Sequence, residues 1–207
     1  MDTITTHHHA DAHRDDTAAK IGMWLFIFTE ILLFGGLFIV LAVYRFKNPV
    51  AFDLAHQELS IPMGLINTII LLVSSATVAV SISAIQKNDK KMTMAMLGIT
   101  LLLALVFLVN KYFEWGSKFE HGMYPGSDLM TNLSNGDMLF FSLYFFMTGL
   151  HGVHIIVGMI LLGITLFKVK TGAVNSGKYA LLENSGLYWH LVDLIWIFLF
   201  PLFYLIH

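Results

Sequence analysis

Five stretches of this chain are each long and apolar enough to cross a lipid bilayer, and no other feature limits its fold as much. A helix needs about 20 apolar residues to traverse roughly 30 Å of hydrocarbon. The stretches run from Ile21 to Tyr44, Pro62 to Ile85, Met92 to Tyr112, Met138 to Phe167 and Gly186 to Ile206. The fourth is long enough to tilt. Within hydrocarbon a spanning segment must satisfy its own backbone hydrogen bonds. The expected fold class is therefore all-α, an integral membrane bundle of five transmembrane helices.

Composition agrees. Hydrophobic residues make up 57% of the chain and charged residues 13%, about half the charge that a soluble domain carries. The absence of cysteine removes disulfides, thiolate metal sites and iron–sulfur ligation. A net charge of −2 gives no reason to expect a nucleic-acid partner. Residues 1–20 form a polar arm, and 21–207 form one membrane domain without internal repeats. The arm has neither the basic start nor the cleavage site of a secretory signal. Its His7, His8, His9 and His13 read as a metal-binding tract, as a remnant of a tag or as a solvated arm. Between spans, Asn48 and Pro49 break the chain, 86–91 is a tight polar turn, 116–136 is the longest connection, and 168–178 is basic.

Lysine and arginine near the span ends predict orientation. Arg14, Lys20, Lys87, Lys90, Lys91, Lys168, Lys170 and Lys178 fall on one side, and Arg45, Lys47, Lys111 and Lys118 on the other. The larger set is expected to be cytoplasmic, with the N-terminus inside and the C-terminus outside. Trp24, Trp115, Tyr188 and Trp189 are expected to anchor the interfaces. The small residues Gly35, Gly36, Ser74, Ser75, Gly149, Gly152, Gly158 and Gly163 are expected to mark close helix packing.

Ionisable residues inside spans are rare and usually face protein or a cavity. Glu30 reads as a proton-carrying or lipid-contacting acid, or as a carboxyl hydrogen-bonded to a neighbouring helix. His151 and His154, three apart, share a helix face and read as a metal pair or as packed histidines. Further ligands would have to come from Glu30, Glu114, His190 or Asp193, and no motif unites these. His190 and Asp193 repeat the spacing and suggest a hydrogen-bonded pair that fixes the imidazole. Glu114, beside Trp115, is expected at an interface.

Four segments carry a resemblance. KIGMWLFIFTEILLFGG from Lys20 to Gly36, INTIILLVSS from Ile66 to Ser75, FMTGLHGVHIIVG from Phe146 to Gly158 and YWHLVDLIWIFLF from Tyr188 to Phe200 resemble, in order and spacing, subunit III of the haem–copper respiratory oxidases. The five spans look like the short bacterial form. The resemblance implies a multi-pass protein of the bacterial inner membrane with no catalytic residue and no cofactor of its own. Haem and copper would sit in a partner, subunit I, on which this chain would pack with other oxidase subunits. It would hold phospholipid, support proton uptake and protect the enzyme from turnover inactivation. Glu30 matches the family's intramembrane acid in the lipid cleft, and Lys168, Lys170 and Lys178 match positions of head-group contact. Asn67, His151, His154, His190 and Asp193 fall in the matching segments as buried polar residues. KYFEW, from Lys111 to Trp115, keeps only the glutamate of a further family segment. Cytochrome c is the expected electron donor, with a quinol oxidase or a nitric oxide reductase-associated homologue as alternatives. A transporter or proton channel relaying through Glu30 is the reading from another class, but repeated halves and broken helices are missing from the sequence.

Overall fold

The computed structural model describes residues 3–127 and 135–205, with side chains from residue 17 onward. Among the described residues six helices follow one another: α1 Thr3–Lys47, α2 Pro49–His56, α3 Ile61–Gln86, α4 Lys90–Glu120, α5 Asn135–Thr171 and α6 Ala180–Phe200, the last closed by a π-helical turn at Pro201–Leu205. Five of them are long and apolar enough to cross a membrane. The expected all-α bundle is present, and every observed span is longer than its sequence estimate.

The first helix continues unbroken from Thr3, so the polar arm and the first span form one 45-residue helix. At 1.5 Å per residue this is about 68 Å, roughly twice the hydrocarbon thickness. The side chains of His7, His8, His9 and His13 lie outside the described residues. Asn48 and Pro49 do end α1, but the chain re-forms a helix at once. Asn48 Nδ2 donates to the Tyr44 carbonyl at 3.1 Å, and Pro49 starts α2, where a missing N–H costs nothing. The turn into α4 is short. Asn88 takes a left-handed φ of 60°, and Asp89 caps α4 by accepting from the Met92 N–H at 3.0 Å.

The bundle is built around α6. It packs against α1, α3 and α5, while α3 and α4 form an antiparallel hairpin that closes on α5. Of the apolar window of α6, 61% is buried, against 17% for α1, so α6 is the central helix and α1 the outermost. Two tryptophans fix α6 to α3. Trp189 Nε1 donates to Ser74 Oγ at 3.1 Å, and Trp196 Nε1 donates to Thr68 Oγ1 at 3.0 Å. Each hydroxyl gives its own proton to a carbonyl of its helix, Leu71 or Gly64, and so has lone pairs left for the indole. The expectation that Tyr188 and Trp189 anchor an interface is therefore corrected. Both rings are buried in the core, and of the expected anchors only Trp24 is largely exposed.

Glycines divide into two groups. A Cβ on Gly158 would stand 2.8 Å from the Trp189 ring, and one on Gly186 would stand 2.8 Å from Ile82. These two are notches that let α5 and α3 approach α6. Gly35, Gly36, Gly152 and Gly163 instead meet nothing within 4 Å, which corrects their reading as packing positions. Gly158→Ala is accordingly expected to destabilise the bundle by about 1–3 kcal/mol through overpacking. Gly35→Ala should be neutral or slightly stabilising, since it gains helix propensity without a clash. Thermal unfolding of the two variants in one detergent checks the pair; equal melting temperatures would refute the notch.

Candidate functional site

Polar side chains inside the bundle form three groups. The most enclosed lies where the C-terminal part of α4 meets the N-terminal part of α5 and the π-helical turn after α6. Lys111 Nζ donates to Glu114 Oε2 at 3.0 Å, to the Tyr204 hydroxyl at 3.0 Å and to the Tyr144 hydroxyl at 3.3 Å. Tyr144 donates to Glu114 Oε1 at 2.7 Å, and Tyr204 donates to the same oxygen. The ammonium also stands 4.8 Å from the centre of the Trp196 ring, within cation–π range. All four polar residues are buried. A buried ion pair is tolerable only when further hydrogen bonds complete both partners, and here both tyrosines do so. Lys111 and Glu114 are three residues apart on one helix face. Tyr204 arrives from the π-helical turn after Pro201, a wider turn that changes which side chains face inward.

The second group joins α1 to α5. His154 Nε2 lies 3.0 Å from Glu30 Oε2, and its Nδ1 lies 2.8 Å from the Leu150 carbonyl. A carbonyl only accepts, so Nδ1 carries a hydrogen. A single proton is then shared between Nε2 and the carboxyl: it makes either a neutral acid donating to imidazole or an imidazolium beside a carboxylate. The pair is neutral as a whole in both forms. Phe34 packs edge-on to this imidazole at 5.3 Å, and Tyr188 donates to the His154 carbonyl at 3.2 Å.

The third group lies along α3 and α6. His190 Nδ1 is 2.6 Å from Ser75 Oγ, and Asp193 is buried beside Ser75 with no hydrogen-bond partner for either oxygen among the described residues. Asn67, fully buried, accepts from Asn110 Nδ2 at 2.9 Å. His151 is fully buried between Phe107 and Trp196, with ring centres 5.7 and 5.2 Å away.

Several expectations change. His151 and His154 share a helix face yet serve different neighbours, and among the described residues no three His, Asp or Glu side chains gather where a metal ion could sit. His190 bonds Ser75 rather than Asp193. Glu114 is buried and paired with Lys111. Lys168, Lys170 and Lys178 are exposed at one end of the bundle with Lys87, Lys90 and Lys91, and the turns carrying them meet where Lys90 Nζ donates to the Lys170 carbonyl at 2.7 Å. The sequence reading missed Tyr144, Tyr204, Asn110 and Ser75 as site residues and counted Lys111 only as a basic residue near a span end. The three-residue spacing of Lys111 and Glu114 was the available signal.

Comparison with known proteins places this arrangement. Residues 2–207 match the family described as cytochrome c oxidase subunit III. The chain belongs to the cytochrome c oxidase subunit III family. Relatives include the probable quinol oxidase subunit 3 of Staphylococcus saprophyticus, 32% identical over 187 residues, and that of Staphylococcus haemolyticus, 31% identical over 189 residues. Each alignment covers 90% of this chain and 88% of the relative. As a subunit III of a haem–copper oxidase, the chain is part of an oxidoreductase complex and is itself non-catalytic.

The closed network generates a specific expectation. Lys111→Met or Glu114→Gln alone leaves a buried partner uncompensated and should cost about 3–5 kcal/mol. The double variant should recover most of that loss, because apolar or neutral replacement of a whole buried pair is often close to neutral. A double-mutant cycle on unfolding in detergent checks this; strictly additive losses would show that the pair is not coupled.

Proposed function

We propose that this chain acts as the non-catalytic subunit III of a terminal oxidase, packed on a subunit I that carries the haems and copper. In that position it would retain phospholipid and sustain proton uptake and turnover. The observation that carries the reading is a family match running through all five spans, joined to a core whose ion pair and tryptophans are engaged within the chain itself. Of the two donors, quinol is favoured over cytochrome c, because the two relatives named above, at 32% and 31% identity, are probable quinol oxidase subunits. The transporter reading loses its motive, since Glu30 pairs with His154 and no helix breaks near mid-span.

Orientation draws support from burial. Lys111 and Lys118 were counted toward the outside, but Lys111 is locked to Glu114 and Lys118 donates to the backbone carbonyl of Glu58. Arg45 and Lys47 are then the remaining basic residues at that end, against six exposed lysines in the two opposite turns. The bias is therefore stronger than a plain count of residues gives, and it favours an N-terminus on the cytoplasmic face of the inner membrane. The exposed Lys168, Lys170 and Lys178 suit contact with anionic head groups there.

Purification from native membranes in mild detergent is expected to yield a haem-bearing complex that consumes oxygen with quinol faster than with reduced cytochrome c. A colourless chain without haem-bearing partners would overturn the reading, and a preference for cytochrome c would reverse the donor. In that complex Glu30→Gln should leave initial oxygen reduction nearly intact and shorten the lifetime of activity or reduce bound phospholipid. Immediate loss of oxygen reduction in a haem-replete complex would rule out a peripheral role for Glu30.

A further inference from the structure

At the end of the bundle opposite the tyrosine cluster, a cavity of about 380 Å³ opens between α1, α3 and α6. Trp24, Ile82 and Leu187 form its apolar walls. Its rim holds the ion pair of Lys20 and Glu183, 2.7 Å apart, with the Lys20 side chain half-exposed. His190 lines it further along α6. Ser75 stands 2.6 Å from Nδ1 of that ring, so Nε2 is the nitrogen left for a ligand. Glu183, Leu187 and His190 are spaced by four and then three residues and share one face of α6. The seven residues from Glu183 to His190 rise by about 10.5 Å. The cavity is therefore apolar along its length and polar at two separated ends.

We propose that this cavity binds the head group of an isoprenoid quinol, with one ring hydroxyl at Nε2 of His190 and the other at the Lys20–Glu183 pair. The site presupposes the quinol oxidase reading above and adds to it a binding place on this chain; it carries no electron transfer and no covalent step. A quinol is a flat apolar ring with hydroxyls on opposite edges. With a hydrogen bond at each edge it spans a length comparable to the separation of the two polar ends. A hydroxyl both donates and accepts. It suits Nε2 whichever way the hydrogen between Ser75 and Nδ1 runs, and at the rim it meets an ammonium donor beside a carboxylate acceptor. A quinone carbonyl only accepts and so matches fewer of these groups.

The tail of such a ligand also has a place. Ile21, Trp24 and Phe28 lie three and then four residues apart on α1, and each is more than half exposed. They form an apolar stripe that starts at the cavity wall and continues along the span, where a prenyl chain would lie against it. A phospholipid fits less well, because its polarity is concentrated at one end. With the head group at the rim, its phosphate would face the Glu183 carboxylate and its acyl chains would meet the imidazole.

Photolabelling of the purified oxidase complex tests the site. The probe is a quinol with a photoreactive diazirine in its prenyl tail. Label is expected on this chain, in the α1 segment that carries Ile21, Trp24 and Phe28. Excess unlabelled quinol should compete it away, and excess anionic phospholipid should not. His190→Phe should lower this labelling about tenfold through the loss of one hydrogen bond. Leu187→Trp, which fills the cavity, should abolish it. Lys20→Met, at the half-exposed rim, should weaken it in the same sense and serves where an inner variant fails to assemble. Absence of label from the segment, competition by phospholipid instead of quinol, or labelling as strong in the variants as in the wild type would overturn the proposal. Haem content and oxygen uptake of the same samples report separately on assembly and donor. A complex that oxidises quinol but leaves this segment unlabelled refutes the site alone. One that consumes oxygen only with cytochrome c refutes the donor and the site with it.

Discussion

Lipid tails are as apolar as leucine, so removing a leucine from lipid gains these helices little, and close contact and hydrogen bonding must hold them together. The bundle meets that constraint at α6. Its two tryptophans insert toward α3 and donate to Ser74 and Thr68, while Gly158 and Gly186 remove the side chains that would hold the backbones apart. Thr165 and Ser185 add a hydroxyl contact of 3.0 Å between α5 and α6. The helix with the most such contacts is the most buried, and α1, with few, is the most exposed to lipid.

The same constraint explains how charge is carried inside. Lys111 and Glu114 form an enclosed ion pair, and the two tyrosines complete it from other helices. Glu30 and His154 take a different course on a seam that is less enclosed. With Nδ1 committed to Leu150, they share a single proton and remain neutral together whichever of them holds it. Each arrangement avoids an isolated charge at membrane depth, which would cost roughly 2.5–3.5 kcal/mol on insertion scales. The first does it with hydrogen bonds from three helices, the second with a single contact between two.

The spans were legible because hydropathy sums over twenty residues and tolerates a few polar ones. The same averaging hid the site. Lys111 near the end of an apolar run looks like an interfacial charge, and only its spacing to Glu114 indicated otherwise. Tyr144 lies in an aromatic run that reads as packing, and Tyr204 is brought inward by a π-helical turn for which Pro201 is the sole local cue. Tyr188 and Trp189 fit the composition of an interface but sit opposite Gly158 in the core, because the observed α6 begins at Ala180, six residues before its apolar run. Helix α2 was missed because Asn48 and Pro49 signal a stop, and a proline at a helix start signals a beginning equally well. The His151–His154 spacing shows that two residues share a face, but three-residue neighbours are also far enough apart on it to meet different helices.

These differences add up to an asymmetry between the two ends of the bundle. At the Lys111 end, basic side chains have been drawn inside. One closes the tyrosine network and another, Lys118, ties α4 to the connection before α3 through the Glu58 carbonyl, so this end is joined by buried charge-assisted bonds that are costly to break. At the Lys20 end, the ties are the half-exposed pair of Lys20 and Glu183 and the exposed contact of Lys90 with Lys170, each worth no more than about 1 kcal/mol in water. The polar ties at the Lys20 end are therefore the weaker of the two sets. The cavity leading to His190 lies at the loosely tied end.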